Sequence, residues 1–113
     1  MNTNSITITG NIGRDGETKD GDRRTYATSR MGVYQGKDKD TLWLSLTAFS
    51  GFAVEDLGKV VKGQRVTVTG RLSFRTYTTQ DGDERQDWGV IVENVDKPRD
   101  EQPRQQQSGG GRW

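Results

Sequence analysis

A five-stranded β-barrel carrying one short helix between its third and fourth strands is the fold class that this sequence predicts. Three observations predict it. Apolar and polar residues alternate with a period of two in several separate stretches, Gly- and Asp-containing turns punctuate them, and one stretch near the middle changes to helical spacing. With 113 residues the chain is one domain's worth. It divides into an all-β domain over residues 1–96 and a tail over residues 97–113.

The first segment, Ser5 to Gly13, places Ile6, Ile8 and Ile12 on one face and Thr7, Thr9 and Asn11 on the other, the pattern of a half-buried strand. Arg14 to Asp22 is polar, contains Gly16 and Gly21 and has no periodicity, which predicts a loop. Thr25 to Tyr34 is a weaker strand with Ala27, Met31 and Val33 on its apolar side, and Gln35 to Asp40 is a loop turning at Gly36. Thr41 to Phe49 carries the sharpest alternation in the chain. Phe52 to Val61 is the predicted helix, with Phe52, Leu57, Val60 and Val61 as its apolar stripe and Gly63 as its terminator.

Arg65 to Tyr77 is a long strand with Val66, Val68, Leu72 and Phe74 on one face, and Gly70 in its middle marks a bulge or bend. Asp81-Gly82 forms the following hairpin turn. The fifth strand, Asp87 to Val95, has apolar residues on both faces. This element order is that of the OB-fold. A five-stranded meander packed on a helix is the alternative, and the bend at Gly70 favours the barrel because a closing sheet needs a corner.

Composition removes several classes of function. Hydrophobic residues make up 28% of the chain and charged residues 29%, so the core is thin and an oligomeric partner is expected to help it. There is no Cys and no His, which excludes disulfides, thiolate or imidazole metal sites and a Ser-His-Asp triad. No cofactor or metal is expected. A nuclease would need carboxylates clustered around Mg²⁺, but Asp15, Glu17, Asp20, Asp22, Asp81, Asp83, Glu84 and Asp87 fall in predicted turns, where solvated charge is the ordinary reading. An enzyme is therefore not expected. The net charge of +1 decides nothing about nucleic acid. No apolar run is long enough for a membrane span and no leader is visible, so the expected location is cytoplasmic. Residues 97–113 contain Pro98, Pro103, three consecutive Gln, three consecutive Gly and no aliphatic residue, which predicts disorder.

The informative feature is one face of the barrel. If Leu42, Leu44, Leu46 and Ala48 point inward, then Trp43, Ser45, Thr47 and Phe49 point outward together. In the fourth strand, inward Val66, Val68, Leu72 and Phe74 leave Thr67, Thr69, Arg71, Ser73, Arg75 and Tyr77 on the other side. Aromatics interleaved with cations on a polar face suit single-stranded nucleic acid, whose bases stack on rings while cations hold the phosphates. The competing explanation for any single ring is cover at a subunit interface. Tyr34 beside the Gln35–Asp40 loop is a fourth stacking candidate. Lys62, Arg14 and Arg30 join Arg71 and Arg75 as candidate phosphate contacts. Trp88 shares parity with Val90 and Val92 and is expected in the core or at an interface.

The segments Gly10-Asn11-Ile12-Gly13-Arg14-Asp15, Trp43 to Phe49, Lys62 to Leu72 and Arg75-Thr76-Tyr77 resemble the bacterial and phage single-stranded-DNA-binding proteins over residues 2 to about 95. The resemblance implies an OB-fold that assembles as a homotetramer, with a dimer as the alternative, and binds single-stranded DNA with little sequence preference in replication, recombination or repair. It implies stacking at Trp43, Phe49 and Tyr77, with Arg75 and Lys62 near phosphates. Members of that family typically end in an acidic tip that docks repair enzymes. This chain ends Gly109-Gly110-Gly111-Arg112-Trp113 and carries Arg99 and Arg104, so that docking is not expected, and Trp113 reads as an unengaged terminus. An OB-fold module for RNA and an accessory protein using the aromatic face as an interface are the alternatives.

Overall fold

The structure is a computed structural model that describes residues 2–96. Its elements are β1 (Ile6–Asp20), β2 (Thr25–Val33), β3 (Leu42–Ala48), α1 (Phe52–Gly58), β4 (Arg65–Thr78) and β5 (Glu84–Asp96). The strands close into a barrel in the order β1-β2-β3-β5-β4. Neighbours are antiparallel except β3 and β5, which run parallel. The predicted OB-fold is the observed one.

The interior follows from strand parity. Ile12, Ala27, Met31, Leu44, Leu46, Ala48, Val66, Val68, Val90, Val92 and Val95 line it, and Ala53, Leu57 and Val60 close one end from α1 and the residues after it. Ser29 is also buried, and its hydroxyl donates to the Arg14 carbonyl at 2.7 Å. The β1–β2 register is broken on both sides of Arg14, so this hydroxyl supplies a partner where the ladder is irregular.

Four expectations need correction. The segment Arg14–Asp20 is not a loop but the second half of β1, paired with β2 as far as Asp20 and Thr25. Its other side is held by the segment after α1: Gly16 N–H donates to Val60 O at 2.7 Å, Gly63 N–H to Ile12 O at 2.7 Å, and Lys62 N–H to the Asp15 carboxylate at 2.8 Å. The helix ends at Gly58, well before Gly63, and its buried side is Ala53 and Leu57 rather than the stripe including Phe52 and Val61, which are 81% and 54% exposed. Leu72 and Phe74 lie outside the core at 37% and 52% exposure. β5 begins at Glu84, three residues before the expected start at Asp87, so Glu84 is a strand residue and not a turn residue. The predicted tail, with Trp113, lies outside the described residues.

Candidate nucleic-acid interface

Residues paired across neighbouring strands share a face, so the register maps the outward surface directly. Gly32 pairs with Trp43, Arg30 with Ser45 and Thr28 with Thr47 across β2 and β3. Ser45 pairs with Gly89 and Thr47 with Ile91 across β3 and β5. Arg71, Ser73, Arg75 and Tyr77 of β4 pair with Ile91, Gly89, Asp87 and Arg85. One continuous surface thus runs from β2 across β3 and β5 to β4. It holds Trp43, Tyr77, Arg71 and Arg75 together, as strand parity predicted, and adds Arg30 from β2.

Trp43 anchors one end. Its ring lies over two backbones that lack side chains: a Cβ placed on Gly13 would come within 2.6 Å of the ring, and one on Gly32 within 3.0 Å. The ring nevertheless remains 47% exposed. The Arg30 guanidinium sits 5.6 Å from the ring centroid, within cation–π range. Arg14 is the register partner of Arg30. Two like charges placed opposite each other are unfavourable, and a phosphate between them would relieve the repulsion. Among the described residues neither Arg14, Arg30 nor Lys62 forms an ion pair. Tyr34 and Lys62 line the same groove as Trp43, and Tyr34 is 79% exposed.

Phe49 marks the other end, immediately after β3 and 38% exposed. Six residue steps separate it from Trp43, a span of about 20 Å in an extended strand. Its neighbours are residues that the sequence reading did not single out. The Tyr26 ring centroid lies 6.0 Å away, and the Arg24 guanidinium lies 5.6 Å from the Phe49 centroid. Together with Gly21, Asp22 and Arg23 they form a second open groove. The signal was present: Tyr26 has the parity of Thr28 and Arg30, opposite buried Ala27.

On the β4–β5 hairpin, Arg75 lies 5.7 Å from the Tyr77 ring centroid and 3.5 Å from the Asp87 carboxylate. Arg71 lies 3.6 Å from Glu93. Both arginines are well exposed, and such pairs exchange readily for other anions. Trp88 is outside the core: its ring packs on Phe74 at 4.8 Å between centroids, and it is 41% exposed on the opposite face of the hairpin. Among the described residues no three His, Cys, Asp or Glu side chains are grouped to hold a metal ion.

A small closed barrel with an aromatic, cation-bearing outer face defines the class of OB-fold proteins suited to unpaired nucleic acid. A sequence profile of the single-strand binding protein family matches residues 3–98, and the chain belongs to that family. A single-stranded DNA-binding protein of Paenarthrobacter nicotinovorans is 33% identical over 91 residues, covering 72% of this chain and 54% of that one. The chain thus spans about half the length of this curated relative. Among solved structures, a small single-stranded DNA-binding protein from Streptomyces coelicolor superimposes with a TM-score of 0.71 at 24% identity, covering 87% of this chain and 96% of that one. A Plasmodium falciparum SSB in complex with ssDNA gives 0.70 at 20% identity, covering 88% and 97%. These two likenesses establish the shared fold.

Proposed function

We propose that this chain binds single-stranded DNA with little sequence preference and coats it during replication, recombination or repair, without catalysing a reaction. The observation that carries this reading is the pair of aromatic grooves at the two ends of β3, each with a ring open to solvent and an arginine beside it. Bases stack on Trp43, Phe49 and Tyr77, with Tyr34 and Tyr26 flanking them. Arg14, Arg30, Lys62, Arg71 and Arg75 meet the phosphates. The names of the curated relative and of the matched structures support the same ligand.

Two sets of rings stand out among the exposed apolar residues, which also include Tyr34, Phe52 and Val61, and their contrast argues against the aromatic face being only a subunit interface. Trp43, Phe49 and Tyr77 each have an arginine within 6 Å of the ring, whereas the rings of Phe74 and Trp88 have none among the described residues. The second set is the better candidate for contact between copies, in a homotetramer or a dimer. No helix of the described residues is long and apolar enough to cross a membrane, and a cytoplasmic, nucleoid-associated location fits the proposed ligand.

Titration with oligo-dT, followed by tryptophan fluorescence at two salt concentrations, tests the reading. Quenching that weakens with salt and disappears in Trp43→Phe, although Trp88 is retained, is the expected result. Equal, weak binding of oligo-dT and duplex DNA overturns it. Competition between matched DNA and RNA oligomers decides between the two nucleic acids.

A further inference from the structure

The middle of the outward face is lower than either end. Ser45, Gly89 and Ser73 lie side by side across β3, β5 and β4, so nothing in that row is taller than a hydroxyl. Gly89 is fixed in this role, because a Cβ there would fall 2.5 Å from the Ser45 carbonyl oxygen. The result is a hollow of about 130 Å³, walled by Thr47, Arg75, Asp87 and Ile91. Asp87 is the one acid lining it, and its side chain is only 23% exposed. The Ser45 hydroxyl lies 3.1 Å from each Asp87 oxygen, and Arg75 Nε lies 3.5 Å from one of them. A hydroxyl has a single proton to donate, and the arginine contact is long. A carboxylate has about four acceptor sites, so much of its capacity is left in a hollow that opens onto the face.

A carboxylate is a liability on a surface that meets nucleic acid through phosphates alone, because like charges repel. It becomes useful if what reaches it is the N–H edge of a base. We infer that this hollow is a base-edge pocket, in which Asp87 accepts hydrogen bonds from a nucleobase bearing an amino group while flanking bases stack on Trp43 and Tyr77. The inference rests on the single-stranded DNA reading above. Cytosine and adenine offer an amino group, and guanine adds a ring N–H beside its own, matching both carboxylate oxygens. Thymine has no amino group, and its two carbonyl oxygens flank the single N–H that would face the carboxylate. Stacking remains tolerant of sequence, and the hollow adds a bias against thymine.

Paired titrations with dC and dT oligomers of equal length test this, because both are pyrimidines of similar stacking area and their ratio reads the edge. The protein is expected to bind dC about fivefold more tightly than dT, and isolated guanines within a thymidine strand raise affinity as well. In Asp87→Asn, which keeps the size and removes half of the acceptor capacity, the ratio falls to near one. Ser73→Val, which fills the floor and leaves Asp87 in place, has the same effect. Equal affinities for dC and dT, or a ratio that Asp87→Asn leaves unchanged, overturn the pocket while the single-stranded DNA reading stands. Failure of both oligomers to bind at low salt overturns that reading and the pocket with it.

Discussion

The two halves of β4 carry the same alternation and end in opposite environments. Before Gly70, Val66 and Val68 point inward and are buried. After it, Leu72 and Phe74 continue the alternation and are 37% and 52% exposed. The difference lies in what stands beside the strand. From Arg65 to Gly70, β4 is paired with β1, and from Thr67 also with β5, and so helps enclose the barrel. From Arg71 onward it is paired with β5 alone, and past Ser73 that hairpin extends beyond the β3–β5 pairing. The register shifts between Thr69 and Gly70, where the strand turns the corner. Alternation therefore reports which residues share a face, while the neighbouring elements decide whether that face is covered.

Substitutions along this one strand sharpen the contrast. Gly70→Ala is expected to have the largest effect, because its Cβ would stand 2.0 Å from the Ile91 carbonyl oxygen, a backbone atom with little room to move. A loss of about 3 kcal/mol in chemical denaturation is expected; a wild-type midpoint would show that the corner relaxes. Val68→Ala, in the enclosed half, should lose about 2 kcal/mol of stability, read as a fall in melting temperature of about 10 °C. Tyr77→Ala, in the hairpin half, should leave melting nearly unchanged and weaken oligo-dT binding by about 1–2 kcal/mol. A drop in stability without one in affinity would reverse the assignment of the two halves. Phe74→Ala should have the smallest effect on protomer stability, about 0.5 kcal/mol from its ring contact with Trp88. If it dissociates an oligomer in light scattering, that face is the contact between copies.

The legibility of the fold varied with burial. β3 was readable residue by residue because Leu44, Leu46 and Ala48 are buried on one side while Trp43, Ser45 and Thr47 face outward, which is the situation that period-two reasoning assumes. The second half of β1 was not readable. From Glu17 to Asp20 every residue is exposed, and two register shifts around Arg14 break the parity, so a paired strand there has the composition of a loop. In the helix segment, helical spacing grouped Phe52 and Val61 with Leu57 and Val60, yet Phe52 and Val61 are exposed and small Ala53 packs with Leu57 against the barrel.

The site shows the same division. Trp43, Tyr77, Arg71 and Arg75 followed from parity, and the Trp43 groove does bring in Tyr34 and Lys62. Tyr26 and Arg24 escaped because β2 has a weak apolar pattern, although Tyr26 had the correct parity. Asp87 escaped because it stands at the edge of a predicted turn, and only the pairing of β3 with β5 places it beside Ser45.

That pairing has a consequence for motion. β3 and β5 are in register only from Ser45 to Thr47 against Gly89 to Ile91, whereas β4 and β5 pair from Thr67 to Thr78. The ring is thus fastened by a short clasp, in the parallel arrangement that is weaker per residue. Amides at this clasp should be among the first in the barrel to exchange with solvent. A bound strand lying across Ser45, Gly89 and Ser73 would hold the clasp shut, and the protection of those amides would then report occupancy of the face.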